Sequence, residues 1–225
     1  TGGESIADTS KILSTYGNAF MLRTDSDKKL DEFKKYSNIP IINGLSPSSH
    51  PTQVLSDIFT IQEIKKKSIS KLKLCWIGDA NNNMMNSLIE ACIKFSITLN
   101  IACPKIYQPN KALISLIKKQ KGKIKIFNKK ELAIKNSDVV MTDKIISLND
   151  KVNKKKKLNS FKNFKVDIKT MNLAKKDAIF LHCLPRGSEV TEEVFLGKKS
   201  KVWQQALNRV YVQKSILLYC FGKLR

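Results

Sequence analysis

Seven short apolar runs punctuate the chain, each bounded by turn residues: 18–23 (NAFMLR), 40–44 (PIING), 73–79 (KLCWIGD), 98–103 (TLNIAC), 123–127 (KIKIF), 138–142 (DVVMT) and 178–183 (AIFLHC). Their Val, Ile, Leu and Phe content predicts buried strands. Between them lie longer stretches with helical spacing, near 5–15, 27–36, 51–66, 83–95, 110–120 and 129–136, with a last one near 205–221. Strand–helix–strand repetition implies parallel sheets with crossover helices on both faces, a doubly wound α/β fold.

The polar link EIKKKSISKLK (63–73) separates two such series and marks a domain boundary. Two doubly wound parallel-sheet domains are expected: residues 1–66 together with the C-terminal helix 205–225, and residues 67–204. The first holds only two strands. A two-stranded parallel sheet leaves edges and helix faces uncovered, so this domain is expected to be incomplete without residues ahead of Thr1. No run approaches the ~20 apolar residues of a membrane span, and the opening TGGESIADTSKIL has no basic segment followed by an apolar one, so no secretory signal is expected.

Charge complicates the picture. The chain carries 41 basic and 19 acidic residues, a net +22, which suggests a nucleic-acid or anionic-membrane partner. Only four of the basic residues are Arg, the side chain that forks onto guanine edges and phosphates. The lysines are spread along the chain, with one dense run at Lys154–Lys157, and aromatics do not interleave with them. A solvated surface is the favoured reading. Five cysteines without a C-x-x-C pair, and only two histidines, predict neither a zinc site nor a disulfide framework. Cys75, Cys92 and Cys103 read as small core fillers in a reducing, cytoplasmic setting.

In doubly wound folds ligands bind beyond the carboxyl ends of the strands. That rule selects Arg23-Thr24, Gly44–Gln53, Gly78–Asn83, Thr142-Asp143 and His182–Arg186. Both histidines and two of the four arginines fall there, and Arg209 is expected to open the last helix. His50-Pro51-Thr52-Gln53 offers donors to an anion or carbonyl at a helix start, or is simply a cap, with Ser49 as N-cap and Pro51 in the first turn. GDANNN (78–83) lacks G-x-G-x-x-G, which disfavours a dinucleotide; its Asn side chains suit a carboxylate or ammonium, or an Asn-rich αL turn. Asp143 suits an ammonium group, or caps the next helix. Cys183 ends a buried strand, where a neighbouring cation would lower its pKa; a buried structural thiol is the alternative.

ESIADT, Arg23-Thr24, NGL to HPTQ, WIGD with its asparagines, TD-x-x-x-S, FLHCLPRG-x-EVT-x-EVF and a late Asn-Arg pair occur in this order. Together they resemble the ornithine carbamoyltransferases of the aspartate/ornithine carbamoyltransferase family, over essentially the whole chain. The resemblance implies carbamoyl transfer from carbamoyl phosphate to the δ-amine of ornithine by a homotrimer, giving citrulline and phosphate without metal or organic cofactor. It assigns carbamoyl phosphate to Arg23, His50, Gln53, Cys183, Leu184 and Arg209, with His50 polarising the carbonyl and Leu184 contributing backbone. It assigns ornithine to Asn83, Asp143, Ser147 and Leu148, with Cys183 beside the δ-amine and Cys183, His50 and Asp143 as the catalytic set.

The sequence departs from the family pattern in four places. The S-T-R-T phosphate loop that precedes ESIADT in the family is not among these 225 residues, so the fragment alone is expected to be inactive. The usual S-M-G reads Ser147-Leu148-Asn149, a KVNKKKK run follows where the family is usually acidic and mixed in charge, and Leu207 replaces a Glu near the Asn-Arg pair. Two other readings keep the fold: a degenerate paralogue serving as a binding or structural subunit, and a carbamoyltransferase for another amine.

Overall fold

The computed structural model describes residues 3–146 and 153–224. Two parallel sheets form. The smaller pairs β1 (Phe20–Arg23) with β2 (Ile41–Leu45), and the larger has the order β5-β4-β3-β6-β7, with β3 at Lys73–Ile77, β4 at Thr98–Ala102, β5 at Ile124–Phe127, β6 at Val139–Thr142 and β7 at Ile179–His182. All seven expected runs are strands. The expected helices form as α1 (Ile6–Tyr16), α2 (Asp27–Tyr36), α3 (Pro51–Lys65), α4 (Asn83–Lys94), α5 (Lys111–Lys119) and α6 (Lys130–Ile134). Three short ones were not anticipated, α7 (Lys154–Ser160), α8 (Ile168–Met171) and α9 (Glu192–Leu196). At four to seven residues they are too short to show a helical period.

The last helix, α10 (Val202–Cys220), begins before the expected Gln205. Val202 is fully buried, and Lys201 is held to the large sheet by its N–H to the Phe180 carbonyl at 2.9 Å. Arg209 therefore lies two turns inside the helix rather than at its start.

The large sheet is buried on both faces because alternate strand residues face opposite ways. On β3, Leu74 and Trp76 join a core with Leu88 and Ile89 of α4 and Val54 and Ile58 of α3. Cys75 and Ile77 join the opposite core with Phe164, Phe180 and Phe195. Cys75, Cys92 and Cys103 are buried fillers, as their apolar neighbours suggested. The strand order reverses direction at β3, whose neighbours are β4 and β6. Ligand crevices form at such a switch point, beyond the C-terminal ends of the two diverging strands.

Leu88 is 1% exposed and Leu132 58% exposed. Leu88→Ala is expected to cost about 2–5 kcal/mol of unfolding free energy, and Leu132→Ala within about 0.5 kcal/mol. Chemical denaturation of the two variants checks this; equal losses would contradict the described core.

Candidate active site

A cleft of about 460 Å³ opens where the C-terminal ends of both sheets meet. Arg23 enters from the end of β1, and His50 and Gln53 from the start of α3. Asn83 and Met84 come from the start of α4, Asp143 follows β6, Cys183 to Pro185 follow β7, and Arg209 reaches in from α10. Eight of the ten residues nominated from sequence thus line one cavity. Ser147 and Leu148 lie outside the described residues.

The HPTQ turn is held by its neighbours rather than by an ordinary cap. His50 occupies the N-cap position with no side-chain cap bond, and Pro51 starts the helix. Ser49 is not the cap: its hydroxyl accepts from Asn43 Nδ2 at 2.8 Å and sits 3.2 Å from Ser46 Oγ. The loop 46–50 is then fastened to α4. Asn83 Nδ2 donates to the Ser46 carbonyl (3.0 Å), Asn86 Nδ2 to the Ser48 carbonyl (2.9 Å), and the His50 N–H to Ser87 Oγ (2.8 Å). Asn83 thus ties the two halves of the cleft together. The αL turn considered for the Asn-rich segment does not form; Asn82 instead caps α4, accepting from the Met85 N–H.

Beneath the cleft runs a chain of buried amides. Gln53 Nε2 donates to Asp57 Oδ1 (2.8 Å), as does Gln205 Nε2 (2.7 Å), while Gln205 Oε1 accepts the His182 N–H (3.0 Å). One turn on, Asn208 Nδ2 donates to Thr60 Oγ1 (2.9 Å) and Glu63 Oε2 (2.8 Å). Helix α10 is thereby bolted to α3, and Arg209 follows. The sequence gives Asp57 and Gln205 no distinguishing mark, and Asn208 only its place in the late Asn-Arg pair; the one further signal is polar residues at i, i+4 on faces otherwise suited to packing.

The electrostatics follow from burial. His50 is pushed down to about 4, first by burial and then by the Arg209 and Arg23 guanidinium groups. The ring is neutral near pH 7. Its Nδ1 lies 3.5 Å from Thr52 Oγ1, and Nε2 has no protein partner among the described residues. Asp143 is raised to about 6, chiefly by burial, against an opposing 2.7 Å bond from the Lys144 N–H. It caps no helix among the described residues. Asp57 is likewise raised to about 6 by burial.

Cys183 overturns one expectation. Its thiol is pushed up, not down: burial dominates, Asp143 and Asp57 add to it, and Arg209 opposes only in part. It is a neutral thiol at the strand tip, 3.9 Å from Met84 Sδ. His182 does not line the cleft; it turns inward, Nε2 2.8 Å from Glu189 Oε1. The lysine run also differs from a uniformly solvated surface. Lys157 is buried, its ammonium 2.7 Å from the equally buried Asp79.

A larger groove of about 680 Å³ lies between β2, α3 and α10, lined by residues such as Ile42, Leu55, Phe59 and Ile216. It presents no charged side chain to pair with an anion. The polar cleft is where chemistry can occur.

Comparison with known proteins divides the chain between residues 63 and 70, with α10 inside the second match. Residues 1–63 match the aspartate/ornithine carbamoyltransferase, carbamoyl-P binding domain, and residues 70–220 match the Asp/Orn binding domain of that family. The chain belongs to the aspartate/ornithine carbamoyltransferase family. Among members of this transferase family, the ornithine carbamoyltransferase of Caldicellulosiruptor saccharolyticus is 42% identical, over 99% of this chain and 74% of its own length. The anabolic ornithine carbamoyltransferase of Campylobacter jejuni superposes with a TM-score of 0.91 at 38% identity, over 98% of this chain and 75% of that one. That of Pyrococcus furiosus gives 0.90 at 36%, over 99% and 72%. The chain thus spans about three-quarters of the carbamoyltransferases it matches.

Because two guanidinium groups help hold His50 neutral, its titration reports on the cleft. An NMR titration is expected to place His50 near pH 4, and Arg209→Ala should move it upward, since removing a nearby cation eases protonation. A midpoint near the ordinary histidine value in the unaltered protein would contradict the described geometry.

Proposed function

We propose that this chain forms most of an ornithine carbamoyltransferase, moving the carbamoyl group of carbamoyl phosphate onto the δ-amine of L-ornithine to give L-citrulline and phosphate. The observation that carries the reading is the meeting of Arg23, His50, Gln53 and Arg209 with Asp143 and Cys183 in one polar cleft. The Caldicellulosiruptor saccharolyticus, Campylobacter jejuni and Pyrococcus furiosus relatives bear that enzyme's name.

Each group suits a step. Arg23 and Arg209 meet the phosphate, whose charge grows as the C–O bond breaks and the electron pair leaves with phosphate. A neutral His50 donates an N–H to the carbamoyl oxygen, which gains negative charge in the tetrahedral transition state; a cationic ring is not needed for this. Gln53 and the backbone of Leu184 hold the carbamoyl amide. Asn83 takes the ornithine α-carboxylate with the donor capacity its bond to Ser46 leaves free, and Asp143, Ser147 and Leu148 take the α-ammonium end. Forming the C–N bond requires the δ-ammonium to lose a proton. That proton leaves to solvent before attack, and the neutral Cys183 thiol borders the δ-amine and orients it rather than acting as a thiolate, while Asp143 holds the other end of the substrate.

We assign residues 1–66 with 205–225 to the carbamoyl-phosphate domain and 67–204 to the ornithine domain, supported by the bonds from α10 to α3. The phosphate of this reading also calls for a loop of the family's S-T-R-T type, whose helix start and basic side chains would cradle it. A cytoplasmic homotrimer serving arginine metabolism fits this reading; among the described residues no helix is long and apolar enough to cross a membrane. The Ser147-Leu148-Asn149 sequence favours, as the second reading, a transferase with a different amine acceptor.

Citrulline formation by a polypeptide joining these residues to an S-T-R-T loop tests the proposal. Turnover is expected, with Arg209→Ala lowering kcat/KM by about 10²-fold or more. Cys183→Ala should reduce kcat far more than Cys92→Ala, which changes only a buried filler. A folded protein without turnover on ornithine would refute the ornithine reading, and equal activity of the two cysteine variants would refute the role of Cys183.

A further inference from the structure

The cleft rests on one buried ionisable group that the proposed chemistry does not use. Asp57 is fully buried in α3, one turn beyond Gln53, and its Oδ1 accepts from Gln53 Nε2 and from Gln205 Nε2. A carboxylate can only accept, so both glutamines must turn their nitrogen toward it. Gln205 confirms the assignment from its other end, where Oε1 accepts a backbone N–H from His182. For Gln53 the consequence falls on the cleft. With its nitrogen committed to Asp57, the group it turns to the cavity is its carbonyl oxygen, an acceptor.

We propose that Asp57 is a positioning residue for substrate selection: it locks the Gln53 amide with oxygen toward the cleft, so that the site demands an N–H on the acyl group. This rests on the carbamoyl-phosphate reading. A carbamoyl group presents an NH₂ to that oxygen. An acetyl group, nearly the same in shape, presents a methyl and would leave the Gln53 oxygen without a partner. Buried polar groups left unpaired are the strongest source of discrimination between isosteres. Without Asp57, Gln53 is free to flip and the penalty disappears. The same carboxylate, through Gln205, steadies the His182 N–H ahead of Cys183 and the helix that carries Arg209, which adds a positional effect common to all ligands. The selective effect is separable from that common one.

The test compares three ligands on the S-T-R-T-bearing polypeptide: the KM of carbamoyl phosphate, and the inhibition constants of acetyl phosphate and inorganic phosphate. Asp57→Asn keeps an oxygen able to accept both amide bonds, so the preference for carbamoyl over acetyl phosphate should stay within about threefold of the parent. Asp57→Leu removes the acceptor, and Asp57→Ser, with room for water, does so if the Leu variant fails to fold. Either should shrink that preference about tenfold, the scale of one hydrogen bond, with inorganic phosphate affected far less. A folded Leu or Ser variant that keeps the preference would overturn the proposal, as would equal weakening of all three ligands or an Asn variant as damaged as the Leu one. A parent protein that binds none of the three would instead overturn the carbamoyl-phosphate reading itself.

Discussion

The contact between α3 and α10 governs this cleft. The two helices are some 150 residues apart in the chain, and between Asp57 and Gln205, and between Asn208 and Thr60 and Glu63, they exchange buried hydrogen bonds rather than interlocked apolar side chains. Such a seam has a particular energetic character. Fully satisfied, each bond adds only about 1 kcal/mol; with one partner removed, the orphaned group costs its desolvation, about 1–3 kcal/mol. The penalty for misregister is therefore larger than the reward for contact. A seam of this kind selects one axial position of α10 against α3, and that position brings Arg209 into the cleft with Arg23 and His50.

The charge state of the cleft follows from the same packing. Two guanidinium groups supply positive charge for a phosphate, while the histidine between them is forced neutral and the thiol at the far wall stays protonated. The site thus separates its tasks: fixed cations for the anion, a neutral donor for a carbonyl, and a carboxyl near its own titration point for the substrate's ammonium end. Burial, the largest cause in each of these shifts, is set by the walls: α4 through its bonds to the 46–50 loop, and β6 and β7 through their register in the large sheet.

The sequence made strands and strand ends legible for a physical reason. A strand buried on both faces has to be a compact apolar run, so NAFMLR or DVVMT could serve little else, and rare His, Arg and Cys residues just beyond such runs stood out. What escaped were features set by distant partners. Nothing around Asp57 announces that its acceptor faces Gln205, and nothing in KKKK distinguishes Lys157, which turns inward to Asp79, from its solvated neighbours. For Cys183 the sequence left a cation-activated thiol and a buried neutral one both open, and burial with two carboxylates, none of them local in sequence, decides for the neutral thiol. Local pattern reveals which elements form; only packing reveals which polar atoms lose water.

The most direct test is a crystal structure of a polypeptide joining these residues to an S-T-R-T loop, with carbamoyl phosphate bound. The phosphate is expected between Arg23 and Arg209, the carbamoyl oxygen within hydrogen-bond reach of His50, and the carbamoyl nitrogen on the Gln53 oxygen. A ligand seated in the apolar groove between β2, α3 and α10, or turned so that its nitrogen faces His50, would contradict that arrangement.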